Sequence, residues 1–240
     1  MHRDTSDPDW LEIIASWKET QLALRKKMRI APLDPLPRFV AGADAAFSED
    51  KQKVLAAAVV YDRVQQKIVE VVHADRPIEF PYIPTFLSFR EAPAVMDAVA
   101  KLKHPWGVIC CDGQGYAHPR RCGLATHISV LLDRPGVGFA KSRLTGTFDD
   151  PPNARGASSP LMDGEEPIGL VLRTSQNCRP IFVSVGHLID LDSAEKLAMA
   201  CVTRYRIPEP TRQADIEVAK LKVGGGLGEK SDGGLFRDFD

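Results

Sequence analysis

Residues 106–121 read WGVICCDGQGYAHPRR, and this stretch decides more of the fold than any other part of the chain. The apolar run Trp106–Cys111 predicts a short buried β-strand that delivers Asp112 at its carboxyl end. Two glycines, Gly113 and Gly115, then allow the backbone to turn sharply and to approach a ligand closely. Three basic residues complete the stretch: His118, Arg120 and Arg121. A carboxylate, glycines and cations in this order suit metal-assisted chemistry on a phosphodiester, which the motif alone does not prove.

The composition is that of a folded globular protein. The chain has 240 residues, of which 44% are hydrophobic and 26% are charged, and its formal net charge is -1. This charge gives no overall attraction for nucleic acid, so binding of that kind would need a local basic patch. Five cysteines, two of them adjacent, argue against a disulfide framework and favour a reducing compartment. Because no signal peptide or membrane-spanning segment is recognisable, we expect a cytoplasmic monomer with no membrane partner.

The hydrophobic pattern predicts a single α/β domain. Three strand-like segments separated by short polar turns predict an antiparallel meander, and alternating helices and strands follow it. The predicted strands are residues 38–47, 53–62, 67–75, 106–111, 137–140, 168–173 and 180–185, and the predicted helices are 9–29, 92–102, 124–132, 192–204 and 211–222. We expect a central mixed sheet, in which parallel strands extend the meander, flanked by helices over residues 1–223. Residues 145–166 are predicted to be a surface excursion and residues 224–240 a disordered tail.

Two acidic residues lie on predicted strands. Asp44 interrupts the apolar run Phe39–Phe47, where a charge is costly unless it is paired or bound to a metal. It could equally mark a bulge or a strand end, and Asp112 could cap backbone amides in its own loop. Both acids are flanked by glycine or alanine, which favours a site for a hard cation such as Mg²⁺ with room for substrate phosphate.

Two further acids have both a structural and a functional interpretation. Glu91 completes a capping-box pattern with Ser88, but Pro93 argues against a helix that begins there, so a metal ligand is an equal alternative. Asp215 lies in the first turn of the predicted last helix, where a carboxylate gains from the helix dipole whatever its function.

The loop of Pro81, Tyr82, Ile83 and Pro84 is stiffened by its two prolines. It presents an aromatic and a branched apolar side chain, which suits a wedge that enters a base stack, although such loops more often pack onto their own core. Basic residues Lys141 and Arg143 follow the predicted strand 137–140; they would matter if they face Asp112 and are otherwise simply solvated.

Other common sites are disfavoured. The glycines after residue 112 lack the third member of a dinucleotide motif, and the chain has no P-loop lysine and no GxSxG nucleophile motif. Zinc is disfavoured because the adjacent Cys110 and Cys111 cannot easily share one tetrahedral ion and no CxxC pair exists.

Seven motifs occur in an order that is far more specific than any one of them. They are Val40–Asp44, Pro81–Glu91, Asp112–His127, Gly138–Ser142, Leu172–Thr174, Val183–His187 and Tyr205–Arg212 followed by Asp215. Over roughly residues 10–222 the chain resembles the endonuclease V family, which are deoxyinosine-specific repair endonucleases of RNase H-like fold.

The resemblance implies a role for each candidate residue. Four acids would form the site for Mg²⁺, or Mn²⁺ in its place: Asp44, Glu91, Asp112 and Asp215. His118 and Lys141 would lie against the scissile phosphate, and residues 81–84 would be the wedge that separates bases beside the lesion. The backbone at Gly113, Gly115 and Gly123 would help to hold a flipped hypoxanthine. Salt-sensitive binding of the nucleic acid is expected through Arg90, Arg120, Arg121, Lys141 and Arg212.

The implied activity is hydrolysis of the second phosphodiester 3′ to deoxyinosine in DNA, leaving a 3′-hydroxyl and a 5′-phosphate. The same site could instead serve an endoribonuclease that acts at inosine in RNA, since nothing in these residues selects the sugar. A phosphotransferase of related fold, with residues 112–115 around ATP phosphates, is a weaker alternative. A module that binds deaminated bases without cutting is disfavoured, because recognition alone needs no cluster of repelling carboxylates.

Three positions depart from the usual family pattern. Ser129 stands where many members have glycine, Asn177-Cys178 replaces a glycine and a basic residue, and Asp215 occupies a position that is Asp or His in the family. The first two are predicted to alter loop geometry or substrate preference.

Overall fold

The computed structural model describes residues 8–223, so the predicted tail at 224–240 lies outside the described residues, as do residues 1–7. Five helices are present: α1 (Pro8–Lys27), α2 (Leu87–Ala100), α3 (Leu124–Leu132), α4 (Leu191–Cys201) and α5 (Glu209–Val223). Eight strands accompany them in this region: β1 (Phe39–Phe47), β2 (Lys53–Asp62), β3 (Lys67–Pro77), β4 (Val108–Cys111), β5 (Gly136–Ala140), β6 (Ser158–Asp163), β7 (Glu166–Leu172) and β8 (Ile181–Val185). None of the helices within residues 8–223 is long and apolar enough to cross a membrane.

All eight strands belong to one mixed sheet with the order β3-β2-β1-β4-β5-β8-β7-β6. Strands β1, β2 and β3 form the predicted antiparallel meander, and β1, β4 and β5 run parallel to one another. Strands β8, β7 and β6 complete the sheet in antiparallel order. The prediction of a single mixed α/β domain is therefore confirmed.

Helices cover both faces of the sheet. Ala41 and Ala43 face a core shared with α2 and α3, whereas the alternate residues Gly42 and Asp44 point toward α5, as the two-residue period of a strand requires. A Cβ atom on Gly42 would lie 2.1 Å from the carbonyl oxygen of Pro210, so only glycine lets the first turn of α5 pack this closely. This contact seats α5 against the strand that carries Asp44.

The parallel register brings two of the predicted acids to one edge of the sheet. Ala43 is paired with Cys111 across β1 and β4, so Asp44 and Asp112 are the next residues on neighbouring parallel strands. Pairing of β1 with β2 continues without a shift through Asp44. The alternative that Asp44 marks a bulge is therefore wrong, and it lies instead just beyond the end of the β1–β4 ladder.

Four sequence predictions need correction. Residues 158–163, placed in the surface excursion, form β6; Pro160 and a single fully buried side chain, Leu161, gave this edge strand the pattern of a loop.

Helix α2 begins at Leu87 instead of residue 92 and contains Pro93. Its N-cap is Phe86 with no side-chain cap, so the capping-box interpretation of Ser88 and Glu91 is wrong. Helix α5 begins two residues early, which places Asp215 in its second turn and removes the interpretation as a first-turn dipole acid.

Candidate functional site

Three carboxylates meet where α5 crosses the sheet edge. Asp44 and Asp112 reach this point from β1 and β4, and Asp215 faces them from the second turn of α5. One oxygen of each carboxylate lies within 4.8 Å of the others. Acids that come together in this way repel one another unless a cation is present, so the cluster has the composition of a metal site.

The charge of the cluster is unfavourable without a cation. Burial raises the pKa of Asp44 to about 8, and the neighbouring charge of Asp112 adds to this effect. Burial also raises the pKa of Asp112, although the hydrogen bond and charge of Lys141 oppose it. Carboxylate oxygens suit a hard divalent ion such as Mg²⁺ or Mn²⁺. They differ from the thiolate ligands that zinc prefers in structural sites.

Lys141 contacts the cluster with its ammonium group, although its side chain is 41% exposed. Its Nζ atom is 2.6 Å from Oδ2 of Asp112 and 2.9 Å from Oδ2 of Asp215. Burial lowers the pKa of Lys141, but the hydrogen bonds and charges of these two acids outweigh burial and leave it above its usual value. The condition stated from the sequence, that Lys141 should face Asp112, is met.

Glu91 lies beside the three-acid cluster without joining it. Its side chain is on α2, is 8% exposed, and lines the same cavity as Asp112. Burial raises the pKa of Glu91 to about 8, and the charge of Asp112 contributes further. Its proximity to Asp112 is consistent with a fourth ligand, a role that stays a prediction.

A cavity of about 350 Å³ opens next to the acids; we call it the base cavity. Its apolar wall includes Leu87, Leu124 and Leu144, and its polar side carries Glu91 and Asp112. An apolar slot of this size, open to solvent at one side and bordered by carboxylates, can receive a planar base while its backbone phosphate remains near the acids.

The sequence pattern of the Endonuclease V family matches residues 22–216. The chain belongs to the endonuclease V family. It is 46% identical over 209 residues to endonuclease V from Roseiflexus sp. (strain RS-1), an alignment that covers 87% of this chain and 93% of that protein. As a member of this family, whose nucleases use divalent metals, the chain is a nuclease.

Solved structures agree with the family assignment. Endonuclease V from Streptomyces avermitilis superposes with a TM-score of 0.84 at 40% identity, covering 88% of this chain and 93% of that one. Endonuclease V from Ciona intestinalis, solved with a 24mer DNA containing an inosine followed by a ribo-adenosine, gives a TM-score of 0.76 at 28% identity. That superposition covers 87% of this chain and 97% of the Ciona chain.

The glycines expected to hold a flipped base also allow close packing of the backbone. Gly113, at φ +151°, and Gly123 line the base cavity, while Gly115 does not. A Cβ on Gly115 would lie 2.3 Å from the carbonyl oxygen of Val185, and its amide donates to Oγ of Ser184 at 2.8 Å. Contact with a base therefore stays a prediction for Gly113 and Gly123. Glycine is required at position 115 because Val185 and Ser184 leave no room for a side chain.

In the loop of residues 81–84, hereafter the wedge loop, the two large side chains have different surroundings. Tyr82 is 59% exposed and lines the base cavity, whereas Ile83 is 9% exposed and packs with Trp10 and Phe86. Ile83 packs onto the core, as such loops more often do, whereas Tyr82 is exposed and its role as a wedge stays a prediction.

His118 lines the base cavity but both of its ring nitrogens are used within the protein. The Arg120 amide donates to Nδ1 at 3.1 Å, so Nε2 carries the proton and faces the Thr85 carbonyl oxygen, also at 3.1 Å. Burial and then the charge of Arg120 lower the pKa of His118 to about 4. A neutral imidazole held in this way brings no positive charge to a phosphate, so that expected effect of His118 has no support in this arrangement.

The four arginines predicted to bind nucleic acid are engaged inside the fold. Arg120 donates to Thr85, Arg121 is paired with Asp163 and Glu166, and Arg212 is paired with Glu209. Arg90 lies over the Phe47 ring at 4.2 Å. Their contact with nucleic acid stays a prediction, and for Arg120 and Arg121 the geometry supplies a structural role instead.

Sequence reasoning named Arg143 but missed three other arginines that share its exposure. Arg143, Arg155, Arg179 and Arg204 are exposed, and within residues 8–223 none lies within 4.0 Å of a carboxylate oxygen. Arg179 lies two residues before β8, whose first residues pair with the end of β5. These arginines come from separate loops without a shared motif, so no local pattern in the sequence groups them.

The two family departures have structural explanations. The Ser129 side chain is fully buried, donates to the Ala125 carbonyl at 2.6 Å, and fits because Gly136 and Gly186 leave room for it. Asn177, at φ +60°, instead forms two hydrogen bonds with Asn153. Neither residue lines the base cavity: Ser129 lies within helix α3, and Asn177 lies in the loop after β7.

Proposed function

We propose that this chain is a divalent-metal-dependent endonuclease that cuts DNA at the second phosphodiester 3′ to deoxyinosine, leaving a 3′-hydroxyl and a 5′-phosphate. The observation that carries the proposal is the juxtaposition of the three-carboxylate cluster with the base cavity and the exposed Tyr82. Such an arrangement can hold an extruded base in one place while a phosphate a short distance along the strand lies at the acids. We expect the enzyme to act as a monomer in the cytoplasm.

The acids would hold the cation, with Mg²⁺ as the expected ion and Mn²⁺ as a substitute. Asp44, Asp112 and Asp215 supply the oxygen donors, and Glu91 is close enough to Asp112 to complete the surroundings. When bound, the ion would supply Lewis acidity to the attacking water and to the leaving 3′ oxygen. A cation would also oppose the burial and the repulsion by Asp112 that raise the pKa of Asp44 and Glu91 to about 8.

The base is selected by extrusion and enclosure. A hypoxanthine pair is easier to open than a normal pair, which lowers the cost of placing that base in the cavity. Leu87 and Leu124 offer apolar surface to the ring, and Tyr82 at the rim can occupy the space that the base leaves in the stack. Lys141 is positioned to place its ammonium near the phosphate once a metal ion competes for Asp112 and Asp215.

One observation keeps RNA as a second candidate substrate. The Ciona endonuclease V was solved with an inosine followed by a ribo-adenosine, so a ribose at that position is compatible with that protein's complex. An endoribonuclease acting at inosine would use the same acids and the same base cavity. No observation favours the phosphotransferase alternative.

The test is cleavage of a duplex with one deoxyinosine, with and without Mg²⁺, beside an inosine-containing RNA. A Mg²⁺-dependent nick 3′ to the lesion, lost in Asp112→Asn, supports the proposal. Cleavage of the RNA with the DNA left intact would mean that RNA, and not DNA, is the substrate. If neither is cut under conditions where the protein is folded, the proposal fails.

A further inference from the structure

Thr85, the residue after the wedge loop, has a backbone conformation that its side chain disfavours. Its φ is +68°, in the left-handed region that β-branched residues rarely adopt. Glycine would adopt this conformation without strain, so the surrounding structure must hold Thr85 in place. The position matters because Tyr82 lies three residues before Thr85 and Leu87 of the base cavity lies two residues after it.

Three side chains converge on the Thr85 carbonyl oxygen. Nε2 of Gln21 donates to it at 3.1 Å, Nε2 of His118 lies at 3.1 Å, and Nη2 of Arg120 donates at 3.0 Å. The same Arg120 nitrogen donates to Oγ1 of Thr85 at 2.6 Å. A carbonyl oxygen has two lone pairs, so three donors on one acceptor is an unusually dense restraint.

Gln21 links this restraint to the rest of the protein. It is fully buried on α1, its Nε2 also donates to the Cys122 carbonyl at 3.2 Å, and its Oε1 accepts from Nε of Arg120. Both donor hydrogens of the Gln21 amide and one lone pair of its oxygen are therefore used, by Thr85, Cys122 and Arg120. The Arg120 guanidinium also lies over the Phe86 ring at 4.3 Å, so its plane is fixed on two sides.

We propose that Gln21 and Arg120 are positioning residues, which together with His118 form a clamp on Thr85 that presets the wedge loop relative to the base cavity. The inference rests on the proposed function for its effect on cleavage, but the clamp itself is a property of the free protein. The clamp makes the wedge loop ready to insert Tyr82 before nucleic acid binds, so less ordering is required at that step. Arg120, expected from the sequence to contact phosphate, acts here through Thr85.

The planar fork of Arg120 is what distinguishes a clamp from a phosphate contact. Its Nε and Nη2 atoms address Gln21 and Thr85 at the same time, which a lysine cannot reproduce. A phosphate contact would be retained in large part by lysine, because the positive charge is kept. Arg120→Lys therefore separates the two roles without removing charge.

Two variants test the clamp in cleavage. Gln21→Leu and Arg120→Lys are each expected to lower the single-turnover rate on deoxyinosine DNA about tenfold, while affinity for an inosine-free duplex changes less than twofold. Fluorescence of 2-aminopurine placed beside the deoxyinosine reports unstacking by the wedge loop and should fall in both variants, as it should in Tyr82→Ala. Gln65→Leu, on the exposed turn between β2 and β3, is the matched control.

Rescue by glycine is the decisive comparison. Because glycine adopts φ +68° without help, the double variant Gln21→Leu/Thr85→Gly should recover cleavage and 2-aminopurine signal relative to Gln21→Leu alone. A clamp that only stabilised the whole fold would show recovery of thermal stability without recovery of the unstacking signal. Unchanged rate and unstacking signal in both single variants, or weaker binding of every duplex with a lower salt dependence in Arg120→Lys, would overturn the proposal.

Amide hydrogen exchange keeps the clamp testable if no substrate is cut. In the free protein, Gln21→Leu should accelerate exchange in residues 82–87, and adding Thr85→Gly should reverse part of that change. Faster exchange without cleavage of any substrate would support the clamp while the proposed function fails. Exchange identical to the parent protein would contradict the clamp whatever the substrate.

Discussion

The Nζ atom of Lys141 lies 2.6 Å from Oδ2 of Asp112, within the cluster of carboxylates that is the strongest candidate for the metal site. The lysine ammonium thus balances part of the charge that a divalent ion would balance more fully. On the proposed function, an ion bound by Asp112 and Asp215 would compete with this contact, because Lys141 interacts with both carboxylates. Lys141 would then be able to move toward the phosphate.

We expect Lys141→Gln to separate metal affinity from cleavage. The metal site becomes more negative, so the Mg²⁺ concentration for half-maximal binding should fall roughly threefold to tenfold, which corresponds to about 1 kcal/mol for one partly exposed charge. The cleavage rate at saturating Mg²⁺ should fall about a hundredfold. Metal binding measured by calorimetry and single-turnover cleavage report the two effects; weaker metal binding in the variant would contradict the competition. Lys220→Gln, on an exposed ion pair of α5, is the control.

Adjacent residues of the wedge loop should behave differently when shortened to alanine. Tyr82→Ala should leave the free energy of unfolding within about 0.5 kcal/mol of the parent, because the side chain is exposed, and should lower cleavage at deoxyinosine at least tenfold. Ile83→Ala should cost about 2 kcal/mol of stability through the lost contacts with Trp10 and Phe86. Denaturant titration and cleavage rates on the same preparations test both; a large loss of stability in Tyr82→Ala would reverse the assignment.

Nucleic-acid affinity should depend on Arg155 and Arg179, which lie at the same edge of the sheet as the acids but several strands away. Strands β4 and β7 are separated by three strand spacings, so the loop after β7, which carries Arg179 and the Thr174 carbonyl that Arg155 contacts, lies about 14 Å from the acids. Arg155→Gln/Arg179→Gln should weaken binding to inosine and inosine-free duplexes equally. The slope of log affinity against log salt should fall by about 2.

A charge-matched variant gives the control for this salt experiment. Lys67 begins β3 and Lys103 precedes β4, so both lie at the opposite end of the sheet from the acids. Lys67→Gln/Lys103→Gln changes the net charge by the same amount and should leave the slope unchanged. An equal decrease of the slope in both double variants would mean that binding responds to net charge and not to this surface.

The buried His127 should make stability depend on pH. Burial lowers the pKa of His127 to about 4, compared with roughly 6.5 for a histidine in an unfolded chain. Between these values only the unfolded state takes up the proton, so this residue's contribution to the free energy of unfolding decreases as the pH falls from about 6.5 to about 4. From pH 7 to pH 5 the decrease should be about 2 kcal/mol.

The measurement is the difference in unfolding free energy between the parent and His127→Gln at several pH values. This difference cancels the opposite contribution of acids with raised pKa, such as Asp44 and Glu91. The difference, parent minus variant, should fall by about 2 kcal/mol between pH 7 and pH 5, and a difference that does not vary with pH would exclude the effect. His104→Gln removes a half-buried histidine from a surface loop and serves as the control.

Much of the fold was accessible from the sequence because its signals are local. Strands β1 and β2 are alternately or continuously apolar over nine or ten residues, and the short turn between them leaves an antiparallel hairpin as the simplest connection. Asp44 and Asp112 each interrupt or end an apolar run. Edge strand β6 was missed for the same reason, since only one of its side chains is fully buried and it carries no strong apolar pattern.

By itself the sequence determined most of the helices and strands, the family and the identity of the candidate acids. Only the tertiary structure decided that Asp215 joins Asp44 and Asp112 while Glu91 stands beside them. It also decided that Arg120 restrains Thr85 by joining a glutamine 99 positions away. The physical reason is that strand period and turn chemistry act between near neighbours, whereas the partner of a charged or amide side chain is set by which elements pack together. Nothing in the local sequence shows that Arg120 is held inside a hydrogen-bond network while Arg155 is exposed.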